Sequence, residues 1–158
     1  MTRVGITGHQ RLPAAGVEFI RQRLREHLEV VRPLMGVTSL AAGADQMFAQ
    51  MVLELGGTLH VVVPAREYPR SFESEAERAE YFRLLESAGA VEIMDFEQPG
   101  EPAYLAAGHR MVDLSDWVIA VWDGLPARGL GGTGDIVKYA RATAKKVEIV
   151  WPTGMTRD

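Results

Sequence analysis

The sequence predicts an α/β fold, a Rossmann-like three-layer sandwich with a mainly parallel central sheet and helices on both faces. Short apolar runs alternate along the chain with segments of helical periodicity, the signature of repeated strand–helix–strand units. Some of these runs, Leu59–Val63 above all, are apolar almost throughout, as strands covered on both faces are. A length of 158 residues suits one domain over 1–158, and no repeat, low-complexity tract or linker divides it.

The first strand is expected at Val4-Gly5-Ile6-Thr7, ended by Gly8. Val17, Ile20, Leu24, Leu28 and Val31 recur every three or four residues and predict a helix closed by Pro33. Val37–Leu40 is the second strand, ended by Ala41-Ala42-Gly43. Met47, Phe48, Met51, Val52 and Leu55 then mark a helix stopped by Gly56-Gly57. Pro64 terminates the third strand, Leu59–Val63. Residues 65–75 read as a loop, followed by a weaker helix through Ala76, Ala79, Phe82 and Leu85. Val91–Met94 is a short strand, Gln98–Pro102 a turn, and a helix covers about 103–115. Trp117–Trp122 is a strand ended by Asp123-Gly124. The glycine-rich stretch 129–134 leads into a last helix around Ile136, Val137 and Ala140, and Val147–Val150 forms a sixth strand.

Composition narrows the function classes. Hydrophobic residues make up 47% and charged residues 24%, the balance of a globular protein. Seventeen Lys and Arg against 21 Asp and Glu leave a net charge of −4, which disfavours a nucleic-acid partner needing a broad basic footprint. A small anionic ligand remains compatible, because one loop can be positive inside an acidic whole. There is no cysteine, so disulfides, thiolate metal sites and cysteine nucleophiles are excluded, and a reducing, cytoplasmic setting is expected. No run of about 18 apolar residues predicts a membrane span, and the N-terminus lacks the apolar core of a signal peptide. His9, His27, His60 and His109 show no metal-ligand spacing, and no GxSxG elbow occurs, so neither a metal nor a cofactor is expected. His27 and His60 read as structural, and Trp117, Trp122 and Trp151 as core or interface.

In an open parallel sheet, ligands bind outside the carboxyl ends of the strands. Four loops there carry unusual chemistry. Gly8 permits a close backbone approach, and His9, Gln10 and Arg11 offer donors for a phosphate, a ribose or a base edge; a polar surface turn is the plainer reading. Gly43 leaves room for a ligand, while Asp45 is either a helix cap or a ligand contact. Asp123-Gly124 is a turn dipeptide and also a position for an acid beside a ligand. Gly131-Gly132-Thr133-Gly134 opens a helix, so its amides and the helix dipole make an anion site to which Thr133 adds a hydroxyl. It is neither a Walker loop nor GxGxxG. Arg110, on the preceding helix, either reaches a phosphate over the sheet edge or belongs to a solvated helix face.

Gly5–Leu12 (GITGHQRL), Ala41–Gln46 (AAGADQ), Met111–Gly124 (MVDLSDWVIAVWDG) and Gly131–Gly134 (GGTG) together resemble the SLOG superfamily. That group contains the Smf/DprA proteins, the Lonely-Guy phosphoribohydrolases and the YpsA-like proteins, and the opening motifs are most similar to the YpsA-like branch. The resemblance covers about residues 3 to 150. It implies a Rossmann-like fold, a nucleotide-type ligand, a phosphate held by Gly131 to Gly134, and a homodimer. The Lonely-Guy pattern PGGxGTxxE is only partly kept: Leu130 stands at its proline, Asp135 at its threonine and Lys138 at its catalytic glutamate. The arginine of that branch corresponds to Ala107, one turn before Arg110.

Three functions follow from these residues. The first is a sensor or binding module for a nucleotide or nucleotide-derived ligand such as a nucleoside monophosphate or ADP-ribose. The second is a nucleotide N-glycosidase in which Asp135 serves as the acid and Arg110 takes over from the missing arginine, with Asp123 and Asp45 as further carboxylates. Single-stranded DNA binding comes last, against the acidic charge balance.

Overall fold

The computed structural model describes residues 1–127 and 129–156. Among them, β1 (Thr2–Gly8), β2 (Leu34–Thr38), β3 (Thr58–Val63), β4 (Ala90–Ile93), β5 (Trp117–Val121) and β6 (Lys146–Val150) form one sheet in the order β4-β3-β2-β1-β5-β6. Every pairing is parallel, so the expected mainly parallel sheet is wholly so. The helices are α1 (Val17–Leu28), α2 (Ala44–Glu54), α3 (Glu75–Glu86), α4 (Glu101–Leu114) and α5 (Thr133–Ala142).

Alternate side chains of the apolar strands enter two cores. Val61 joins Ile20, Leu24, Phe48 and Leu84 beneath α1, α2 and α3. Its neighbour Val62 points the other way and packs with Met111, Val118 and Ile136 beneath α4 and α5. This two-sided burial explains the unbroken apolar run of β3, and each such side chain contributes roughly 1.5–3 kcal/mol.

Several boundaries shift for local reasons. α1 ends at Leu28 rather than near Pro33, with Glu29 as its C-cap and the Val31 amide turning back to the Leu28 carbonyl at 3.0 Å. The Thr2 amide donates to the Pro33 carbonyl at 3.0 Å, which draws Leu34 into the sheet three residues before the expected start of β2. β2 stops at Thr38, whose hydroxyl accepts from the Leu40 amide at 3.0 Å while Leu40 turns to φ 58°. The 65–75 segment holds a 3-10 turn over Tyr68–Ser71. Ser74 then caps α3 by accepting the Glu77 amide.

From β1 the chain steps to β2, β3 and β4 in one direction, and α4 then carries it back to β5 on the opposite side of β1. The loops after β1 and β5 therefore diverge, and a crevice opens between them at the carboxyl edge.

Candidate functional site

A cleft of about 470 Å³ occupies this switch point. One end is formed by the loop after β1: Gly8 pairs in register with Val121, the His9 amide donates to the Val121 carbonyl at 3.2 Å, and the His9 carbonyl accepts from Ala44 at 3.2 Å. Gly8, His9, Gln10 and Arg11 all line the cleft. His9 is itself buried, with its ring edge-on to Trp151 at 5.3 Å and its Nε2 accepting the Asp123 amide at 3.2 Å. Arg11 lies at the rim and ion-pairs with Glu73.

The floor comes from the loop between β2 and α2. Gly43 lies beneath the Gln10 backbone at φ 79°, where a Cβ would come within 2.3 Å of the Gln10 carbonyl oxygen. It brings the two loops together and does not itself line the cleft. Asp45 does line it. Of the two readings of Asp45, helix cap or ligand contact, its bonds do not follow the cap. Gly43 is the N-cap residue, and no side chain bonds to the helix start. The Asp45 Oδ2 instead accepts from the Thr38 hydroxyl and the Ser39 amide, each at 3.3 Å. Burial pushes its carboxyl up to about 7, against the opposing hydrogen bonds from Ala41, Ser39 and Thr38.

One wall is the face of α4 bearing Glu101, Tyr104, Ala107, Gly108 and Met111, residues spaced by one helical turn. Tyr68 closes the cleft from the 65–75 segment, anchored by ring contacts to Phe72 at 5.3 Å and Tyr81 at 5.4 Å. Burial raises its hydroxyl well above the ordinary tyrosine value, with the Asp45 charge adding, so it stays a neutral group. Tyr68 and Tyr104 escape motif reading, since neither sits directly after a strand. The three-to-four spacing of small and apolar residues from Ala103 to Met111 was the available signal for the α4 wall.

The glycine-rich loop forms the opposite end, with Gly131, Gly132 and Thr133 in the lining. Gly131 takes φ 82° and lies against α4, where a Cβ would approach the Leu105 nitrogen to 2.6 Å. Gly132 starts α5 without a side-chain cap, while the Gly132 amide donates to the Gly129 carbonyl at 3.3 Å and the Asp135 amide to the Gly132 carbonyl at 3.1 Å. Gly134 faces the turn at Leu125–Ala127 and is not in the lining.

The three residues expected to be catalytic lie outside the cleft lining. Asp135 accepts the Gly131 amide at 3.2 Å and so braces the glycine loop from within α5. Asp123 accepts the Leu125 amide at 3.0 Å, the turn-forming alternative, and stands 3.4 Å from His9 Nε2. Arg110 bonds Glu92 of β4 at 2.6 Å, on the far side of α4, and holds that carboxyl below its ordinary value. His60 completes this pairing, 2.7 Å from Glu92. Trp122 donates to the Leu125 carbonyl at 2.8 Å. Among the described residues no group of three His, Asp or Glu side chains is placed to hold a metal, and no helix is long and apolar enough to cross a membrane.

No family model and no curated protein matches the chain. Solved structures do. DNA processing protein A of Helicobacter pylori, described with a single-stranded DNA binding mode, superposes with a TM-score of 0.72 at 19% identity, covering 99% of this chain and 68% of that one. The Streptococcus pneumoniae protein of the same name gives 0.70 at 18%, covering 94% and 50%. The molybdenum cofactor binding protein of Rippkaea orientalis gives 0.64 at 16%, covering 96% and 77%. The fold is thus a Rossmann-like one, and the chain spans half the length of the pneumococcal protein.

Proposed function

We propose that the cleft binds a nucleotide or nucleotide-derived ligand, such as a nucleoside monophosphate or ADP-ribose, and that the protein acts as a sensor or binding module of the YpsA-like kind. The observation that carries this reading is the meeting, inside one cleft, of the uncapped α5 N-terminus with the small and apolar wall of α4. The amide end suits a phosphate, and the wall at Ala107, Gly108 and Met111 suits a flat base. A volume of about 470 Å³ matches a ligand of nucleotide size. The structural bonds of Asp135, Asp123 and Arg110 favour binding over cleavage by those groups. Cleavage of an N-glycosidic bond is the second reading, favoured by one observation: a buried carboxyl in the cleft, Asp45, poised to hold a proton near neutral pH.

Exposed Val91 and Ile93 on the edge strand β4 support a homodimer. DNA binding is disfavoured because helix arginines face glutamates, as in Arg21–Glu18, Arg25–Glu54 and Arg83–Glu80, rather than forming a basic stripe.

Native mass spectrometry with nucleoside monophosphates, NAD and ADP-ribose tests these readings together. An intact adduct is the expected result, and the same spectra count subunits. Free base with retained ribose phosphate would establish cleavage, and neither adduct nor product would end both readings. Gly132→Asp, which puts a carboxylate at the amide end of α5, is expected to weaken nucleotide binding at least tenfold. Unchanged affinity in that variant would place the phosphate elsewhere.

A further inference from the structure

We propose that the open edge of β4 pairs antiparallel with the same strand of a second copy of this chain, about a two-fold axis at Glu92, so that two six-stranded sheets run on as one. This inference rests on the homodimer reading above and names the surface and the register of that contact.

The place where the core ends carries it. β4 pairs with β3 alone, so the backbone groups on its outer side have no strand to bond. Val61 and Val63 on β3 are buried, at 0% and 3% exposure. Their register partners Val91 and Ile93 on β4 share that face of the sheet, yet they are 47% and 56% exposed. Burial thus stops one strand short of the edge, because α3 packs against α2 and leaves β4 uncovered. Phe82 of α3 is a further exposed apolar side chain on this layer. The opposite edge is guarded. β6 carries Lys146 and Glu148, ion-paired at 3.0 Å, and charges along an edge strand discourage pairing.

The side chains select a second copy over an unrelated strand. With the axis at Glu92, Val91 lies opposite the second copy's Ile93, and Ile93 opposite its Val91. Such β-branched pairs across antiparallel strands are favourable. The other face is charged and matches itself. Glu92 shares its face with Val62, beneath α4, where its Oε1 accepts from Arg110 Nε at 2.6 Å and its Oε2 lies 2.7 Å from His60 Nε2. Two bare carboxylates facing each other at the axis would repel. Each instead arrives with its own guanidinium, 45% exposed and able to reach the other carboxylate, so negative and positive charges alternate around the axis. A foreign strand would have to bring that match with it. Antiparallel pairing also points the carboxyl edges of the two sheets in opposite directions, which keeps both clefts open.

Analytical ultracentrifugation of the full chain, with cross-linking of cysteine variants, tests this. The wild type is expected to be a dimer. Val91→Lys combined with Ile93→Lys is expected to weaken self-association roughly a hundredfold while keeping the wild-type circular dichroism. Ile149→Lys, at an exposed position of the β6 edge, is expected to stay dimeric. Because the chain has no cysteine of its own, the register can be read directly. Val91→Cys mixed with Ile93→Cys should cross-link on oxidation, since opposite residues of antiparallel strands lie about 4.5–5.5 Å apart at Cα, within disulfide reach. Either variant alone should not, because its two sulfurs are out of register. If the lysine variant loses its fold, the cross-linking arm decides alone. A wild-type dimer that survives the double lysine change, or that gives no mixed cross-link, would overturn the edge assignment and leave the homodimer reading standing. A wild type that is monomeric at every concentration would remove both, even if a strand of another protein takes the edge.

Discussion

Burying an aspartate costs more than the hydrogen bonds around Asp45 return, and that imbalance is measurable without any ligand. Its folded-state value near 7 lies above the unfolded value of 3.8, so the folded protein holds a proton that the unfolded chain releases between these limits. The carboxyl therefore favours folding at low pH, and this contribution declines as pH rises from about 4 and is gone above about 7. Thermal unfolding of wild type relative to Asp45→Asn should show the wild type gaining on the variant from pH 8 to pH 5. Parallel pH profiles for the two proteins would contradict the burial argument. The same residue shows why a strand-end aspartate is hard to interpret from a motif. AAGADQ places Asp45 at a helix start, yet only the fold shows its carboxyl turned to Thr38 and Ser39 rather than to α2.

Elements meet through glycines, but two with the same backbone conformation have unequal roles. Gly43 and Gly56 both take φ 79°, which costs an L-residue roughly 1–3 kcal/mol. Around Gly56 nothing lies within 4 Å, whereas a Cβ on Gly43 would strike the Gln10 and His9 backbones. Gly43→Ala should therefore lower unfolding free energy in urea by about 2 kcal/mol more than Gly56→Ala, and it should weaken nucleotide binding by parting the two loops. Equal losses would mean that the loop contact yields easily. The helices were largely legible because their apolar spacing is local. The 65–75 segment was not, since Tyr68 and Phe72, besides meeting each other, both pack on Tyr81 from α3.

Over the whole molecule, charge separates ligand classes. The net charge is −4, and Arg21, Arg25 and Arg83 on α1 and α3 are each paired with a glutamate. A phosphate held mainly by backbone amides releases few counterions, so nucleotide affinity should change by only about twofold to threefold between 50 and 200 mM salt. A single-stranded DNA ligand contacting several phosphates would instead lose affinity by orders of magnitude over that range. Titration of AMP and of an oligonucleotide at both salt concentrations distinguishes the two, and a steep loss for AMP would count against amide recognition.

The sequence by itself determined the alternation of strands and helices, the parallel sheet, and the edge at which the loops gather. In a parallel sheet every strand ends on the same side, so Gly8–Arg11, Asp45 and Gly131–Thr133 were bound to approach one another. Only the tertiary structure decided which side chains face the cleft. Arg110 turns to Glu92 because α4 lies across β1, β2 and β3 and meets β4 through this side chain. Asp123 and Asp135 are taken up by loops whose paths depend on β5 pairing with β1. Tyr68 and Tyr104 enter the lining from segments far apart in the chain. Strand order and helix phase rest on contacts between distant residues, and no local pattern of residues encodes them.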